Sequence, residues 1–119
     1  MSTDEHPLFF CDMNAIPLAN REQHTATTKS VFGLVQAIHD LPNGYAFKLP
    51  NEKGLLIKAA EFVENERLCC PFFSFRLEVE SSSESIWLQI TGPDGVKPFV
   101  QAEIGETLNQ VVARASNFR

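Results

Sequence analysis

Two adjacent cysteines, Cys69 and Cys70, sit in the run Glu66-Arg67-Leu68-Cys69-Cys70-Pro71-Phe72-Phe73-Ser74-Phe75, the stretch of the chain whose residue types suit chemistry rather than scaffolding. Neighbouring thiols can ligate a soft metal as thiolates, cycle through a disulfide, or pack as small apolar groups. Glu66 precedes the pair by three and four residues, the spacing that brings side chains together on a helix. Projected at about 100° per residue, it falls in the same stripe as Leu55, Ala59, Phe62 and Val63. A carboxylate there is costly to bury unless it is hydrogen-bonded, paired or ligating a cation. The plainer alternative is a partly buried carboxylate that pairs with Arg67 or Arg76, or accepts from a loop N–H. Glu61 and Glu64 project to solvent and receive no role.

The residue before a proline avoids α geometry, so Pro71 predicts a helix ending near Leu68 or Cys69, with both thiols at its C-terminal exit. The helix dipole is negative there and disfavours a thiolate, which counts against a lone activated nucleophile. A soft cation overcomes that field, because it deprotonates the thiols it coordinates. Cys11, in the apolar segment Leu8-Phe9-Phe10-Cys11-Asp12, is the candidate third sulfur. Three sulfurs suit a trigonal soft ion such as mercury or arsenite. Zinc normally takes four ligands and fits less well, although His6, His24 or His39 could complete a set. The candidate metal ligands are therefore Cys69, Cys70, Cys11 and Glu66, with no catalytic residue assigned. Free cysteines often simply pack as buried hydrophobes, and that reading stays beside the metal and redox readings.

These residues need a scaffold, and the pattern supplies one. Ile16 to Thr28 is helix-compatible. Val31 to Ile38 reads as a strand, Asp40-Leu41-Pro42-Asn43-Gly44 as a turn with Asn-Gly supplying positive φ, and Tyr45 to Leu49 as the returning strand, stopped by Pro50 and Asn51. Asn51 is the expected N-cap of a second helix whose apolar stripe is Leu55, Leu56, Ala59, Phe62 and Val63. After Pro71, the residues Phe73, Phe75, Leu77 and Val79 alternate with polar ones, as do Ile86, Leu88 and Ile90, giving a second hairpin around a turn at Ser81 to Ser85. Thr91 to Gly95 lacks the lysine and glycine spacing of a P-loop and reads as a strand-to-helix turn. Val96, Phe99, Val100, Ile104, Leu108, Val111 and Val112 mark a last helix with Pro98 in its first turn. The expectation is an α+β domain of order α-ββ-α-ββ-α, with a four-stranded antiparallel sheet and helices on one face. The other face, with Trp87, Phe72 and Phe32, is where a second copy would dock to form a homodimer.

Composition bounds the function. The 119 residues are 44% apolar with ten Phe, which predicts one globular domain over 1–119, with 1–7 a mobile tail. A net charge of −5, with ten scattered Lys and Arg, argues against direct nucleic-acid binding. Residues 1–6 are polar and acidic rather than signal-peptide-like, and no apolar run approaches the roughly 20 residues of a membrane span. The chain is expected in the cytoplasm, with its three cysteines as thiols.

At Cys11, Pro42 to Phe47, Glu66 to Phe75 and Trp87 to Lys97, the chain resembles a family of small bacterial proteins. Its pattern is an N-terminal cysteine, a Pro-Asn-Gly-Tyr-Ala-Phe-like hairpin, Glu-Arg-x-Cys-Cys-Pro-Phe-x-x-Phe, and Trp-Leu-x-Ile-Thr-Gly-Pro-x-Gly-x-Lys. Similar segments occur fused to regulators of the mercury-resistance type, so the resemblance implies a link to soft metals and no established reaction. The chain carries no helix-turn-helix of its own. The leading expectation is a non-enzymatic module binding a soft metal or metalloid ion. A thiol redox protein or sensor, and a structural or protein-interaction domain with inert cysteines, are the alternatives.

Overall fold

Large apolar residues at every second position of two central strands set the architecture. The computed structural model describes residues 11–82 and 84–105. In chain order the elements are a 3-10 turn Met13–Ala15, α1 Leu18–Phe32, β1 Ala37–Leu41, β2 Gly44–Pro50, α2 Leu55–Cys69, β3 Ser74–Val79 and β4 Ser85–Thr91. A last helix, α3, occupies 97–105. The predicted tail at 1–7 and the predicted helical positions Leu108, Val111 and Val112 lie outside the described residues.

The fold class is the expected one: two hairpins form a fully antiparallel four-stranded sheet of order β1-β2-β4-β3. Tyr45, Phe47 and Leu49 of β2 meet Ile90, Leu88 and Ile86 of β4 in register, and all six are buried. The helices cover this face. Phe32 of α1 stacks edge-on against Phe47 at 5.2 Å and against Phe62 of α2 at 5.1 Å, joining helix, helix and sheet in one core. Val96, just before α3, and Val100 and Ile104 within it complete it at helical spacing.

Several expectations are corrected. Val31 and Phe32 end α1 rather than open a strand, because burying Phe32 between β2 and α2 outweighs local β-propensity. Strand β1 accordingly starts at Ala37, and Phe32 belongs to the core rather than to the outer sheet face. Trp87 does sit on that outer face, against His39 at 4.7 Å, whereas the half-buried Phe72 packs on Phe73 and Phe99. Asn51 does not cap α2: its N–H donates to Glu84, and Gly54, at φ 87°, turns the chain into the helix instead. Leu56 leaves the predicted stripe and is 41% exposed.

The remaining correction concerns Asn43-Gly44. Among the described residues, only Ser82, Gly54 and Gly95 have positive φ, so the β1–β2 turn does not use it. Gly44 is required for a different reason, namely that a Cβ there would lie 2.0 Å from the Ile90 carbonyl oxygen on the adjacent strand. Backbone cannot yield as a flexible side chain does. Gly44→Ala is therefore expected to cost more than about 3 kcal/mol, measured as a drop in the urea midpoint, whereas Gly105→Ala, whose added Cβ meets nothing within 4 Å among the described residues, is expected to leave stability unchanged or raise it by up to about 1 kcal/mol.

Candidate functional site

The second helix ends where Pro71 predicts, at Cys69, with the Cys70 N–H still donating to the Glu66 carbonyl at 2.8 Å. The chain before α1 returns to this end. The Asp12 N–H donates to the Cys69 carbonyl at 2.8 Å, satisfying one of the helix's last acceptors and bringing Cys11 alongside. Ile16, fully buried, anchors the segment, and Arg21 holds it by donating from Nε to the Ile16 carbonyl at 2.9 Å.

The three sulfurs converge. Those of Cys11, Cys69 and Cys70 all lie within 4.8 Å of one another. Cys11 and Cys70 are joined as a disulfide with Cα atoms 4.5 Å apart, whereas the sequence predicts thiols throughout. Cys69 keeps a free, buried thiol, its sulfur 3.6 Å from that of Cys70.

Glu66 is where the helical projection places it, 1% exposed on the core face of α2. Its partner is neither Arg67 nor Arg76: Arg67 bonds Glu64 at the surface. Instead His24 of α1, 4% exposed, meets Glu66 Oε1 through Nε2 at 2.8 Å. The other carboxylate oxygen lies 3.6 Å from Cys70 Sγ. His24 Nδ1 is buried without a partner among the described residues. The His24 ring also stacks on Phe62 at 5.7 Å.

A second acid completes the site. Glu66, Cys70 and Glu103 of α3 present donor atoms within 4.8 Å of one another. Glu103 stands at the rim, exposed along its helix, yet its carboxyl is pushed up to about 8 by loss of water on the site side, then by the charge of Glu66 and a hydrogen bond to it. Glu103 thus holds a proton that it shares towards Glu66. Burial also pushes the Cys69 thiol up to about 11, reinforced by the negative charges of Glu66 and Glu103.

The sequence reading named Cys11, Cys69, Cys70 and Glu66, and these are brought together. It offered His24 only as one of three histidines that could complete a zinc set, not as the partner of Glu66, and it missed Glu103. Both carry a signal in hindsight: His24 lies seven residues before the buried Val31 on one helix face, and Glu103 lies three after the buried Val100. His39 is elsewhere, on the outer sheet face, and His6 lies outside the described residues.

Fold and site define an α+β domain with a partly buried centre of three sulfurs, two acidic side chains and an imidazole. The chain matches no protein-family model, no curated protein and no solved structure.

The raised Glu103 has a pH signature. A carboxyl that holds its proton more tightly folded than unfolded opposes folding once it must ionise. Its contribution therefore lowers stability as pH rises from the ordinary value near 4.5 through about 8. Glu103→Gln keeps a neutral hydrogen-bond donor, and is expected to flatten the decline in urea midpoint across that window while changing little at pH 4.5.

Proposed function

We propose that this chain is a cytoplasmic, non-enzymatic module that binds a soft metal or metalloid ion through Cys11, Cys69 and Cys70, with Glu66 oriented by His24 beside them. The observation that carries this reading is the meeting of three sulfurs from chain segments 59 residues apart within one 4.8 Å sphere. The electrostatics agree with it. Burial, the charge of Glu66, that of Glu103 once it ionises above about pH 8, and the C-terminal end of α2 keep the Cys69 thiol neutral to about pH 11 unless a cation arrives. A thiophilic ion supplies that charge and takes the thiols as thiolates. The resemblance of the Cys69-Cys70-Pro71-Phe72 segment to the family linked with mercury-resistance-type regulators points the same way.

With the protein first reduced by a dithiol, one mercuric ion or one arsenite is expected to bind per chain. Cys69→Ser and Cys70→Ser should each weaken binding at least 10-fold in a competition titration. Unchanged affinity in both variants ends the proposal.

A second reading has its own observation, the disulfide between Cys11 and Cys70 with the free Cys69 thiol 3.6 Å away. In this reading the site is a thiol redox centre whose oxidised form ties the segment before α1 to the end of α2. Closing a loop of 59 residues stabilises by about 4 kcal/mol in the chain-entropy picture. Mild peroxide should remove two hydrogens by intact mass, reversibly with dithiol, and raise the urea midpoint in the parent chain but not in Cys11→Ser. A parent chain whose mass is unaltered by peroxide excludes this reading.

A further inference from the structure

Strand β3 pairs with β4 along all six of its residues, and among the described residues no strand pairs with its other edge. Such an edge presents a row of backbone N–H and C=O groups able to take up another strand. We propose that β3 pairs antiparallel with β3 of a second copy of this chain, centred on Leu77, so that the two chains share one eight-stranded sheet. The pairing is independent of what occupies the sulfur centre.

The residues of β3 select that register. Phe75, Leu77 and Val79 lie opposite the buried Ile90, Leu88 and Ile86 on the helix-covered face, and Arg76 and Glu78 lie opposite Gln89 and Trp87 on the other. Opposite residues of an antiparallel pair share a face, so only a two-fold axis centred on a residue keeps apolar side chains against apolar ones. Centring on Arg76 sets arginine against arginine, and centring on Glu78 sets glutamate against glutamate. Centring on Leu77 sets each Arg76 against the partner's Glu78, each Phe75 against the partner's Val79, and Leu77 against itself. Opposite charges, and an aromatic against a β-branched residue, are favourable cross-strand pairs, whereas like charges directly opposite are unfavourable.

The helix-covered side of this edge is short of cover. Val79 is 48% exposed, and Phe75 and Leu77 are only half-buried. On α2, Lys58 reaches Ser30 of α1 from one flank, which leaves Leu56 and Val63 on the opposite flank, away from α1. Val63 is half-buried against the core and Leu56 is exposed, so both helix and strand offer apolar surface on the side away from α1. A two-fold perpendicular to the sheet keeps the helices of both copies on the same side, and brings this surface against its own copy.

The other edge is less suited. Lys97 of α3 pairs with Asp40 of β1 and donates to the Leu41 carbonyl at 2.8 Å. Self-pairing of β1 about His39 would also set Ile38 against Asp40, which share the helix-covered face.

Sedimentation equilibrium of the full chain is expected to show a monomer–dimer equilibrium. Arg76→Glu and Glu78→Arg each set like charges across the axis twice and should raise the dimer dissociation constant about 10-fold, whereas the double swap restores opposite charges and should return it to within about 3-fold of the parent. Amide exchange of the parent chain gives a reading that needs no substitution: exchange in β3 should slow as protein concentration rises, while exchange in β1 does not change. A parent chain that stays monomeric with β3 exchange independent of concentration overturns the proposal, as does a dimer indifferent to both reversals. Reversals that weaken the dimer without rescue by the double swap overturn the register. A dimer that Trp87→Ala dissociates and the reversals leave intact places the contact on the outer sheet face, and overturns the edge pairing.

Discussion

A carboxylate that cannot reach water organises this protein. Glu66 sits on the core face of α2 at 1% exposure, where an isolated charge is not tolerated, so three elements bring it partners. His24 comes from α1, Glu103 from α3, and Cys70 from the residue after α2 itself. Removing one partner of such a buried pair typically costs about 3–5 kcal/mol, because the other is left uncompensated. The pairing therefore specifies how α1 lies against α2 at the same time as it builds the site. The aromatic contacts of Phe32 and Phe62 supply bulk burial between the same helices, and the polar pair fixes where along them they meet.

The two readings of the sulfur centre share one electrostatic origin. Burial, the Glu66 carboxylate and a helix C-terminus make free thiolates unfavourable at the site. A cation cancels that charge, and a disulfide avoids it, since a bonded sulfur carries none. Metal binding and oxidation are thus alternative ways of meeting the same constraint, and they compete for Cys11 and Cys70. His24 stands slightly apart, holding the carboxylate with one nitrogen while its Nδ1 is buried without a partner among the described residues.

Much of the scaffold was legible in the order of residues, and the failures have physical causes. Alternation in Tyr45 to Leu49 and Ile86 to Ile90 gave the central strands, since a half-buried strand leaves a period of two. Pro71 gave the end of α2, because its effect on the preceding residue is local. Val31 and Phe32 misled, since their local preference for strand is overridden by contacts with Phe47 and Phe62, far away in sequence. Asn43-Gly44 misled differently: the dipeptide suggests φ, whereas the glycine is required by the closeness of a neighbouring strand. At the site, Glu66 was legible as a polar residue in an apolar stripe. His24 and Glu103 were not, because nothing local names their partner, which only the tertiary fold brings to them.

The backbone hydrogen bond from Gly92 to the Asn43 carbonyl, 3.1 Å long, fastens the start of the last connection to the first hairpin. Only once β4 has paired with β2 does this anchor exist to aim α3 towards the sulfurs. Synthesis at roughly 5–20 residues per second brings out Cys11, Cys69 and Cys70 well before Glu103. For seconds, then, the nascent chain carries its thiols without the acid that later screens them, and their first encounter with an oxidant or an ion can precede the finished fold.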